Sequence, residues 1–314
     1  MDFLLAILGL LILLLAADAL VKGAVNLSLR LGVPALIVSL TIVAFGTSAP
    51  ELLIAVTSVL DDAPGLALGN VVGSNIANVL LVLGVPAILA PLATGSCETR
   101  KNYVYMLAAS ALFVSICFIG PITWLHGLIL LVALAFVLTE AFRDAHAHHK
   151  ETGATQEDEV EGSEPDIRGW RIALYLLLGL IGLPLGSDLL VDSAISIARR
   201  SGISETVIGL TLIAFGTSVP ELATTVMAAL RQRAEVALGN VIGSNIFNLL
   251  AIIGLASFVA PLPVSRELLN FDLWIMLASS LVLIPFVFMN RDISRLTGIG
   301  LTTAYGLYVL ILFR

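Results

Sequence analysis

Long apolar runs separated by short polar connections dominate the chain. Ten of these runs approach the length of about 20 residues that a helix needs to cross a hydrocarbon core. They are residues 3–21, 33–60, 66–91, 103–120, 122–142, 170–191, 203–230, 236–260, 269–289 and 296–313. The pattern predicts an all-α polytopic membrane protein with ten transmembrane helices.

The composition supports this interpretation. Hydrophobic residues make up 58% of the chain and charged residues only 12%, whereas soluble domains carry about 25% charged residues. The first run has the apolar character of a secretory signal. However, it is preceded by Met1 and Asp2 instead of basic residues, and a similar run returns at 172–191. We therefore expect the first run to remain as a membrane span.

Polar residues interrupt four of the runs, and they do so twice in the same order. The segment AFGTSAPEL at 44–52 returns as AFGTSVPEL at 214–222, and ALGNVVGSNIAN at 67–78 returns as ALGNVIGSNIFN at 237–248. Over the longer segments 32–60 and 66–92, half of the positions are identical to those 170 residues later, at 202–230 and 236–262. Polar groups at membrane depth are costly and by default mark an ion or substrate pathway. Duplicated segments of this kind in interrupted helices are typical of secondary transporters.

A hydrophilic segment at 144–168 divides the chain into two halves of five predicted helices, residues 1–143 and 169–314. Because five is odd, the second half must enter the membrane in the opposite sense, which predicts two inverted-topology repeats. With the N-terminus outside, twelve Lys and Arg residues fall on the cytoplasmic side and four on the other. This bias predicts an external N-terminus and a cytoplasmic linker, and the acidic composition of the linker predicts disorder.

Charged residues near the ends of the spans also distinguish the halves. The hairpin after the second span carries Asp61, and the equivalent hairpin after the seventh carries Arg231, as inverted topology predicts. Asp18 and Asp188 match at the same offset near the ends of spans one and six. They could line a gate, or they could extend to the membrane interface.

The first repeated motif, GTSxPE, concentrates oxygen atoms on one side of a helix. Thr47, Ser48 and Glu51 lie at i, i+1 and i+4, so their side chains share a face. Pro50 removes a backbone donor and predicts a break one turn earlier, near Thr47. Carbonyl groups freed there, at Ala44 and Thr47, need another partner at membrane depth, such as a bound cation. The equivalent residues of the second half are Ala214, Gly216, Thr217, Ser218, Pro220 and Glu221.

The second repeated motif, GNxxGSNxxN, adds amide and hydroxyl oxygens along one helix face. Asn70, Ser74 and Asn78 lie at i, i+4 and i+8, and Gly69 and Gly73 form a GxxxG strip that permits close helix contact. The second half repeats these residues as Asn240, Ser244, Asn248, Gly239 and Gly243. Around a two-fold axis, the four motifs would supply two carboxylates together with hydroxyl, amide and carbonyl oxygens.

The chemistry of the four motifs narrows the possible functions. They contain no His or Cys, which argues against zinc, copper or iron and against an intramembrane hydrolase, whose nucleophile needs a base beside it. An all-oxygen site with two carboxylates suits Ca²⁺, which takes about six to eight flexible oxygen ligands. The same oxygens could hold Na⁺, and competition for shared ligands is sufficient for antiport. A cation channel could use them as well, but inverted repeats with broken helices favour alternating access.

The duplicated order of GTSxPE and GNxxGSNxxN resembles the sodium/calcium exchanger branch of the cation/Ca²⁺ antiporter superfamily, in its prokaryotic form without regulatory domains. The resemblance covers nearly the whole chain. It implies ten helices with ion sites at the midplane, one for Ca²⁺ and the others for Na⁺, and a first and sixth helix that slide across the rest. It also implies that both cations are transported ions, that no cofactor takes part and that the protein is not an enzyme.

Individual ligands follow from the resemblance by position. The implied Ca²⁺ ligands are the carboxylates of Glu51 and Glu221 and the carbonyls of Thr47 and Thr217. The implied Na⁺ ligands are the carbonyls of Ala44 and Ala214 and the side chains of Ser48, Ser218, Ser74, Ser244, Asn78 and Asn248. Some family members, including K⁺-dependent ones, carry Asp at the position of Asn248. The Asn at this position therefore argues against K⁺ co-transport.

Na⁺/Ca²⁺ exchange is thus the predicted function. Ca²⁺/H⁺ exchange remains open, because a buried Glu can trade Ca²⁺ for protons, and so does K⁺-dependent exchange. The expected partners are the two ions and the lipid bilayer, without nucleic acid and without an obligatory protein partner. The expected location is the plasma (inner) membrane of a prokaryote.

Overall fold

The computed structural model describes residues 2–97, 99–152, 167–201 and 216–312. Helices form all regular structure in these residues, apart from isolated β-bridges. The helices are α1 (Asp2–Leu31), α2 (Ala35–Thr47), α3 (Ala49–Leu60), α4 (Pro64–Leu89), α5 (Arg100–Ile119), α6 (Trp124–Thr152), α7 (Gly169–Arg200), α8 (Val219–Leu230), α9 (Ala234–Val259), α10 (Leu268–Phe288) and α11 (Arg295–Leu312).

The predicted spans reappear in the described part of the chain. Eight helices are long and apolar enough to cross a membrane, and the bent pair α2–α3 corresponds to one more span. The seventh predicted span, 203–230, is represented by α8, and its beginning lies outside the described residues. The all-helical polytopic fold is therefore confirmed.

Two helices are longer than their apolar runs. The first continues to Leu31, beyond the predicted end at residue 21, because Asp18 and Lys22 form an i, i+4 ion pair of 3.1 Å that suits a helix. The fifth span continues to Thr152, into the segment predicted as a linker. Residues 153–166, where most of the linker falls, lie outside the described residues.

The equivalent helices α1 and α7 run antiparallel, which is direct evidence of inverted halves. Gly9 lies next to Leu190, whereas Gly23, further along α1, lies next to Leu176. The two backbones approach so closely that a β-carbon added at Gly186 would lie 2.7 Å from the backbone nitrogen of Leu13. Glycine is required for this contact, because a larger residue would push the helices apart.

Other contacts also come in pairs that interchange when the halves are exchanged. A β-carbon at Gly84 would lie 3.1 Å from the carbonyl oxygen of Gly298, and one at Gly127 would lie 2.7 Å from that of Gly254. The β-bridge between Leu92 and Ile293 likewise has a counterpart between Ile122 and Leu262. The two-fold relation therefore extends from the helices to the connections between them.

The hairpins α3–α4 and α8–α9 adopt the same backbone geometry. Asp62 and Gln232, which match at the offset of the repeat, both have left-handed backbones, with φ of 57° and 54°. Such a residue after a helix returns the chain sharply. Each hairpin thus sends its second helix back past the first, so that the two motifs of each half lie close together.

Helices α4 and α9 form the centre of the molecule. Within their most apolar windows, 83% and 89% of the residues are buried, against 22% for α7 and 11% for α11. The outer helices present exposed apolar side chains such as Phe3, Trp124 and Leu296, as lipid-facing surfaces do. The motif GNxxGSNxxN therefore lies on the two most enclosed helices.

Candidate functional site

The GTSxPE motifs lie where helices begin. The axes of α2 and α3 differ by 42°, with the break at Ser48, as Pro50 predicts. Glu51 and Glu221 each occupy the first turn of their helices, α3 and α8. The N-terminal end of a helix carries a partial positive charge, which favours a carboxylate there. Both glutamates are only 1% exposed.

Hydrogen bonds join the motifs of one half to those of the other. The hydroxyl of Thr47 donates to Oδ1 of Asn240 over 3.3 Å, and the hydroxyl of Thr217 donates to Oδ1 of Asn70 over 3.5 Å. These two bonds interchange when the halves are exchanged. The structure therefore brings the four motifs together at the crossing of the two repeats, as the sequence predicts.

Ser48 makes a contact that the sequence does not reveal. The order Ser48, Ala49, Pro50, Glu51 has the form of a helix capping box, yet neither Ser48 nor the equivalent Ser218 caps its own helix. Instead, the Ser48 hydroxyl donates to Oε1 of Glu221 over 3.3 Å. A carboxylate of one half is thus held by a hydroxyl of the other.

Two carbonyl groups at the helix breaks already have partners. The oxygen of Ala44 accepts from the backbone nitrogen of Ser48 over 3.0 Å, and the Thr47 hydroxyl, which has one proton to share between Ala44 and Asn240, lies 3.3 Å from it. On the other side, Ser187 of α7 donates to the carbonyl of Gly216 over 3.0 Å. The helix ladder therefore opens after Ala44 and not at it, in contrast to the expectation from the sequence. The equivalent Ala214 lies outside the described residues.

The remaining predicted site residues are enclosed in the same region. Thr47, Ser74, Asn78, Ser218, Ser244 and Asn248 are each at most 4% exposed, and Thr217 is 7% exposed. Asn240 donates to the hydroxyl of Thr225 over 3.2 Å. The position equivalent to Thr225 in the first half is Ala55, which has no hydroxyl, and Nδ2 of Asn70, the counterpart of Asn240, has no partner among the described residues.

Two asparagines of the second motif, Asn75 and Asn245, lie between the central helices and have contacts that the sequence does not predict. Asn78 donates to Oδ1 of Asn245 over 3.1 Å, and Asn245 donates to the carbonyl of Asn75 over 3.4 Å. Asn75 and Asn245 follow the repeated serines and recur at the repeat offset. That recurrence is the signal that could have identified them.

Several buried oxygen atoms have no hydrogen-bond partner among the described residues. They are Oε2 of Glu51, Oε2 of Glu221, Oδ1 of Asn75, Oδ1 of Asn78, Oγ of Ser244 and Oδ1 of Asn248. Buried polar atoms are normally paired, so a cluster of unpaired acceptors indicates that a cation belongs among them. No three His, Cys, Asp or Glu side chains converge in the described part of the chain. A cation here would depend on two carboxylates supplemented by neutral oxygens.

Inverted helical repeats that enclose paired carboxylates at the breaks of their helices define a secondary cation transporter. The sequence model of the sodium/calcium exchanger protein family matches residues 1–142 and 171–314, and the chain belongs to this family. It is therefore a transporter and not an enzyme, and it acts in cation/Ca²⁺ antiport. The transported ions are its substrates, and the family requires no cofactor.

Relatives resemble the chain over nearly its full length. The sodium/calcium exchanger MaX1 of Methanosarcina acetivorans is 35% identical over 99% of this chain and 98% of its own. The putative antiporter CaxA of Alkalimonas amylolytica is 34% identical over 97% and 96%, respectively. The solved structure of the sodium-calcium exchanger NCX_Mj, soaked with Na⁺ and Sr²⁺, superposes with a TM-score of 0.84 at 31% identity, over 98% of this chain and 97% of that one. The predicted ten-helix inverted-repeat fold is confirmed.

Proposed function

We propose that the protein exchanges Ca²⁺ for Na⁺ by alternating access. The observation that carries the proposal is the cluster of unpaired oxygen atoms on Glu51, Glu221, Asn78 and Asn248. Each half contributes one of the glutamates and one of the asparagines. The name of the Methanosarcina relative, a sodium/calcium exchanger, agrees with this choice of ions.

The Ca²⁺ ligands in this proposal are the carboxylates of Glu51 and Glu221 and the carbonyls of Thr47 and Thr217. Two carboxylates neutralise one divalent cation, which removes most of the cost of burying its charge. The bond from Ser48 to Glu221 keeps one oxygen of that carboxylate engaged and leaves Oε2 for the cation.

Na⁺ would use the same carboxylates together with neutral oxygens. The proposed additional ligands are the carbonyls of Ala44 and Ala214 and the side chains of Ser48, Ser218, Ser74, Ser244, Asn78 and Asn248. Hydroxyl and amide oxygens bind alkali cations but do not take up protons at physiological pH. Their number around the glutamates favours Na⁺ over H⁺ as the counter-ion.

The second candidate is Ca²⁺/H⁺ exchange, and the burial of both glutamates favours it. A carboxylate that is 1% exposed would accept a proton when its cation leaves, because an unpaired buried charge is costly. K⁺-dependent exchange is disfavoured by the neutral side chain of Asn248, which replaces the carboxylate of K⁺-dependent members.

We also propose that the protein lies in the inner membrane of a prokaryote, with the N-terminus outside and the linker in the cytoplasm. The support is the twelve-to-four distribution of Lys and Arg. A further relative, the inner membrane protein YrbG of Escherichia coli, is 34% identical over 88% of this chain.

Radioactive Ca²⁺ uptake into proteoliposomes tests the proposal. We expect an outward Na⁺ gradient to drive uptake at constant pH, and an outward proton gradient without Na⁺ to drive none above protein-free liposomes. Uptake driven only by the proton gradient would replace the proposal with the second candidate. A requirement for internal K⁺ in addition to Na⁺ would identify K⁺-dependent exchange, and uptake driven by neither gradient would refute the proposal.

A further inference from the structure

The crossing of α4 and α9 contains four asparagines, and their contacts are not the same in the two halves. Asn245 uses both ends of its side-chain amide. Its Oδ1 accepts from Nδ2 of Asn78 over 3.1 Å, and its Nδ2 donates to the carbonyl of Asn75 over 3.4 Å and approaches the sulfur of Met106 at 3.7 Å. Asn75, Asn78 and Asn245 are each 1% exposed, so water does not compete for these bonds.

The equivalent contacts of the other half are missing. Asn75, the counterpart of Asn245, donates to the carbonyl of Val71 in its own helix over 3.1 Å. Its Oδ1 has no partner among the described residues, and neither has Nδ2 of Asn248, the counterpart of Asn78. The donor and acceptor that would form the second bond are thus both present and both unpaired.

Local helix geometry accounts for the difference. Asn78 lies in a regular α-helical segment, Pro64–Leu80, whereas Asn248 lies in a π-helical turn, Phe247–Ile252. A π-helical turn contains one additional residue, so the side chains that follow it rotate about the helix axis. Asn248 lies at the start of such a turn and Asn78 does not, so the backbone differs at the two equivalent positions although the two halves have the same motif.

We infer that Asn245 is a positioning residue that fixes which end of the Asn78 amide faces the transported cation, an inference that rests on the proposed function. A side-chain amide has one oxygen, which attracts a cation, and one NH₂ group, which repels it. The bond to Asn245 engages the NH₂ group of Asn78. The Oδ1 atom, which has no protein partner, is then held for the cation.

The two asparagine positions are therefore not equivalent for the ions. Asn78 presents its oxygen in a fixed orientation, which lowers the cost of ordering it when a cation binds. Asn248 has no such hydrogen bond among the described residues, so no protein partner of this kind fixes which end of its amide faces an ion. Asn245 thus determines cation affinity without touching the cation.

The test measures cation affinity by thermal stabilisation, since a ligand that binds the folded state raises the unfolding temperature. For purified protein, the half-saturating concentration of Na⁺ and of Ca²⁺ is compared between the wild type and Asn245→Ala. We expect Asn245→Ala to raise it roughly five- to tenfold, the effect of losing one buried hydrogen bond. The matched control is Ser279→Ala in α10, which removes a buried hydroxyl that donates to the carbonyl of Met276 in its own helix over 2.8 Å, and its value should change by less than about twofold.

A double variant separates positioning from a general packing defect. The carboxylate of N78D has two equivalent oxygens and needs no orientation, so adding N245A to N78D should change its half-saturating concentration by less than about twofold. If Asn245→Ala is not recovered as a monodisperse protein, Asn245→Leu removes the same acceptor while filling the space.

Three outcomes would overturn the inference. Equal effects of Asn245→Ala and Ser279→Ala would do so, as would a full five- to tenfold effect of N245A in the N78D background. In both cases Na⁺-driven Ca²⁺ uptake by the wild type would leave the proposed function standing. A wild-type protein stabilised by neither cation would refute the inference and the proposed function together, whereas stabilisation by Ca²⁺ alone would refute only Na⁺ coupling.

Discussion

Glu51 and Glu221 are buried carboxylates at the starts of two helices, and charge is what the proposed Ca²⁺ site requires of them. We expect Glu51→Gln and Glu221→Gln each to reduce Ca²⁺ exchange at least about 100-fold, because a divalent cation in an enclosed site loses several kcal/mol with each missing charge. Glutamine has nearly the same shape, so folding and membrane insertion should persist. Proteoliposome uptake and size-exclusion chromatography measure the two properties.

Glu235 provides the matched control for these substitutions. It lies at the start of α9, only partly buried, and its carboxylate is 3.7 Å from Arg233 within the same hairpin. Glu235→Gln should leave exchange near the wild-type rate, because exposed ion pairs contribute little. Near-normal uptake by Glu51→Gln or Glu221→Gln would mean that the site is elsewhere.

Asn248 is the position at which ion choice should respond most. Asn248→Asp places a third carboxylate beside the two glutamates, and three close negative charges are harder to maintain than two. We expect exchange by this variant to fall more steeply than that of the wild type as the pH is lowered, and to gain a dependence on K⁺. Uptake measured across pH, with and without K⁺, tests this. If neither dependence changes, the side chain does not face the ions.

At the scale of single residues, the sequence predicts which residues belong to the site better than it predicts which of them contact each other. The repeat identifies Glu51 and Glu221 as a pair, because only a two-fold arrangement explains matching acids at membrane depth. It does not predict that Ser48 contacts Glu221, since which hydroxyl meets which carboxylate depends on how the halves cross. The contacts of Asn75 and Asn245 were not predicted, because these residues lie one position beyond the helix face that the repeated Asn and Ser residues define.

Among the helices, α2 and α9 form a close contact between the two halves. A β-carbon at Gly239 would lie 2.7 Å from the carbonyl oxygen of Leu36, and Ser39 donates to the carbonyl of Val236 over 2.6 Å. We expect Gly239→Ala to destabilise the protein by about 1–3 kcal/mol, because the backbones must separate to accept the methyl group. A lower unfolding temperature in detergent would record this loss.

The comparison variant for this contact is Gly306→Ala in α11. Gly306 is exposed, and no atom of the described residues lies within 4 Å of its added β-carbon. Alanine is the better helix former there, so the unfolding temperature should stay unchanged or rise slightly. A Gly239→Ala protein as stable as Gly306→Ala would show that α2 and α9 separate without cost.

The helices were predictable in number and approximate position, but their irregularities were not. Pro50 predicts the break between α2 and α3 because proline removes a backbone donor. The π-helical turns Ser39–Val43 and Phe247–Ile252 have no comparable signal. They depend on contacts between the halves, such as the bond from Ser39 to Val236, and local sequence does not encode such contacts.

The two hairpins allow the orientation of the whole molecule in the membrane to be tested. Asp62 and Gln232 are exposed and have the same backbone geometry, yet inverted halves place them on opposite sides of the membrane. In a background lacking Cys97 and Cys117, a membrane-impermeant thiol reagent applied to intact cells should label cysteine introduced at Asp62 and spare it at Gln232. Permeabilised cells, in which both should react, are the control. Labelling of both in intact cells would contradict the inverted arrangement.

One ion pair breaks the symmetry of the molecule at its periphery. Nε of Arg231, in the hairpin after α8, donates to Oδ1 of Asp18 on α1 over 2.6 Å. The equivalent residues of the other half, Asp61 and Asp188, are both acidic and cannot pair. In the proposed orientation, this pair joins α1 to the α8–α9 hairpin on the cytoplasmic side.

Arg231→Gln should therefore favour conformations that open to the cytoplasm. Because Asp18 and Arg231 are partly exposed, the gain is about 1 kcal/mol, or roughly a fivefold shift in population. The ratio of the half-saturating Ca²⁺ concentrations on the two sides of oriented vesicles should change accordingly. Arg233→Gln, which alters a contact within the same hairpin, should leave that ratio unchanged.

The glycine contacts between α1 and α7 have a mechanical consequence. Backbone touches backbone at several levels, from Gly9 beside Leu190 to Gly23 beside Leu176, so neither helix shifts along the other without collision. We therefore expect the two helices to move as one rigid body, with one end at each face of the membrane. If this pair tilts away from the rest of the molecule at one face of the membrane, it tilts towards it at the other face. The two ends therefore do not open at the same time. We expect this coupling of the two ends to prevent a state that is open to both sides of the membrane, whichever ions are bound.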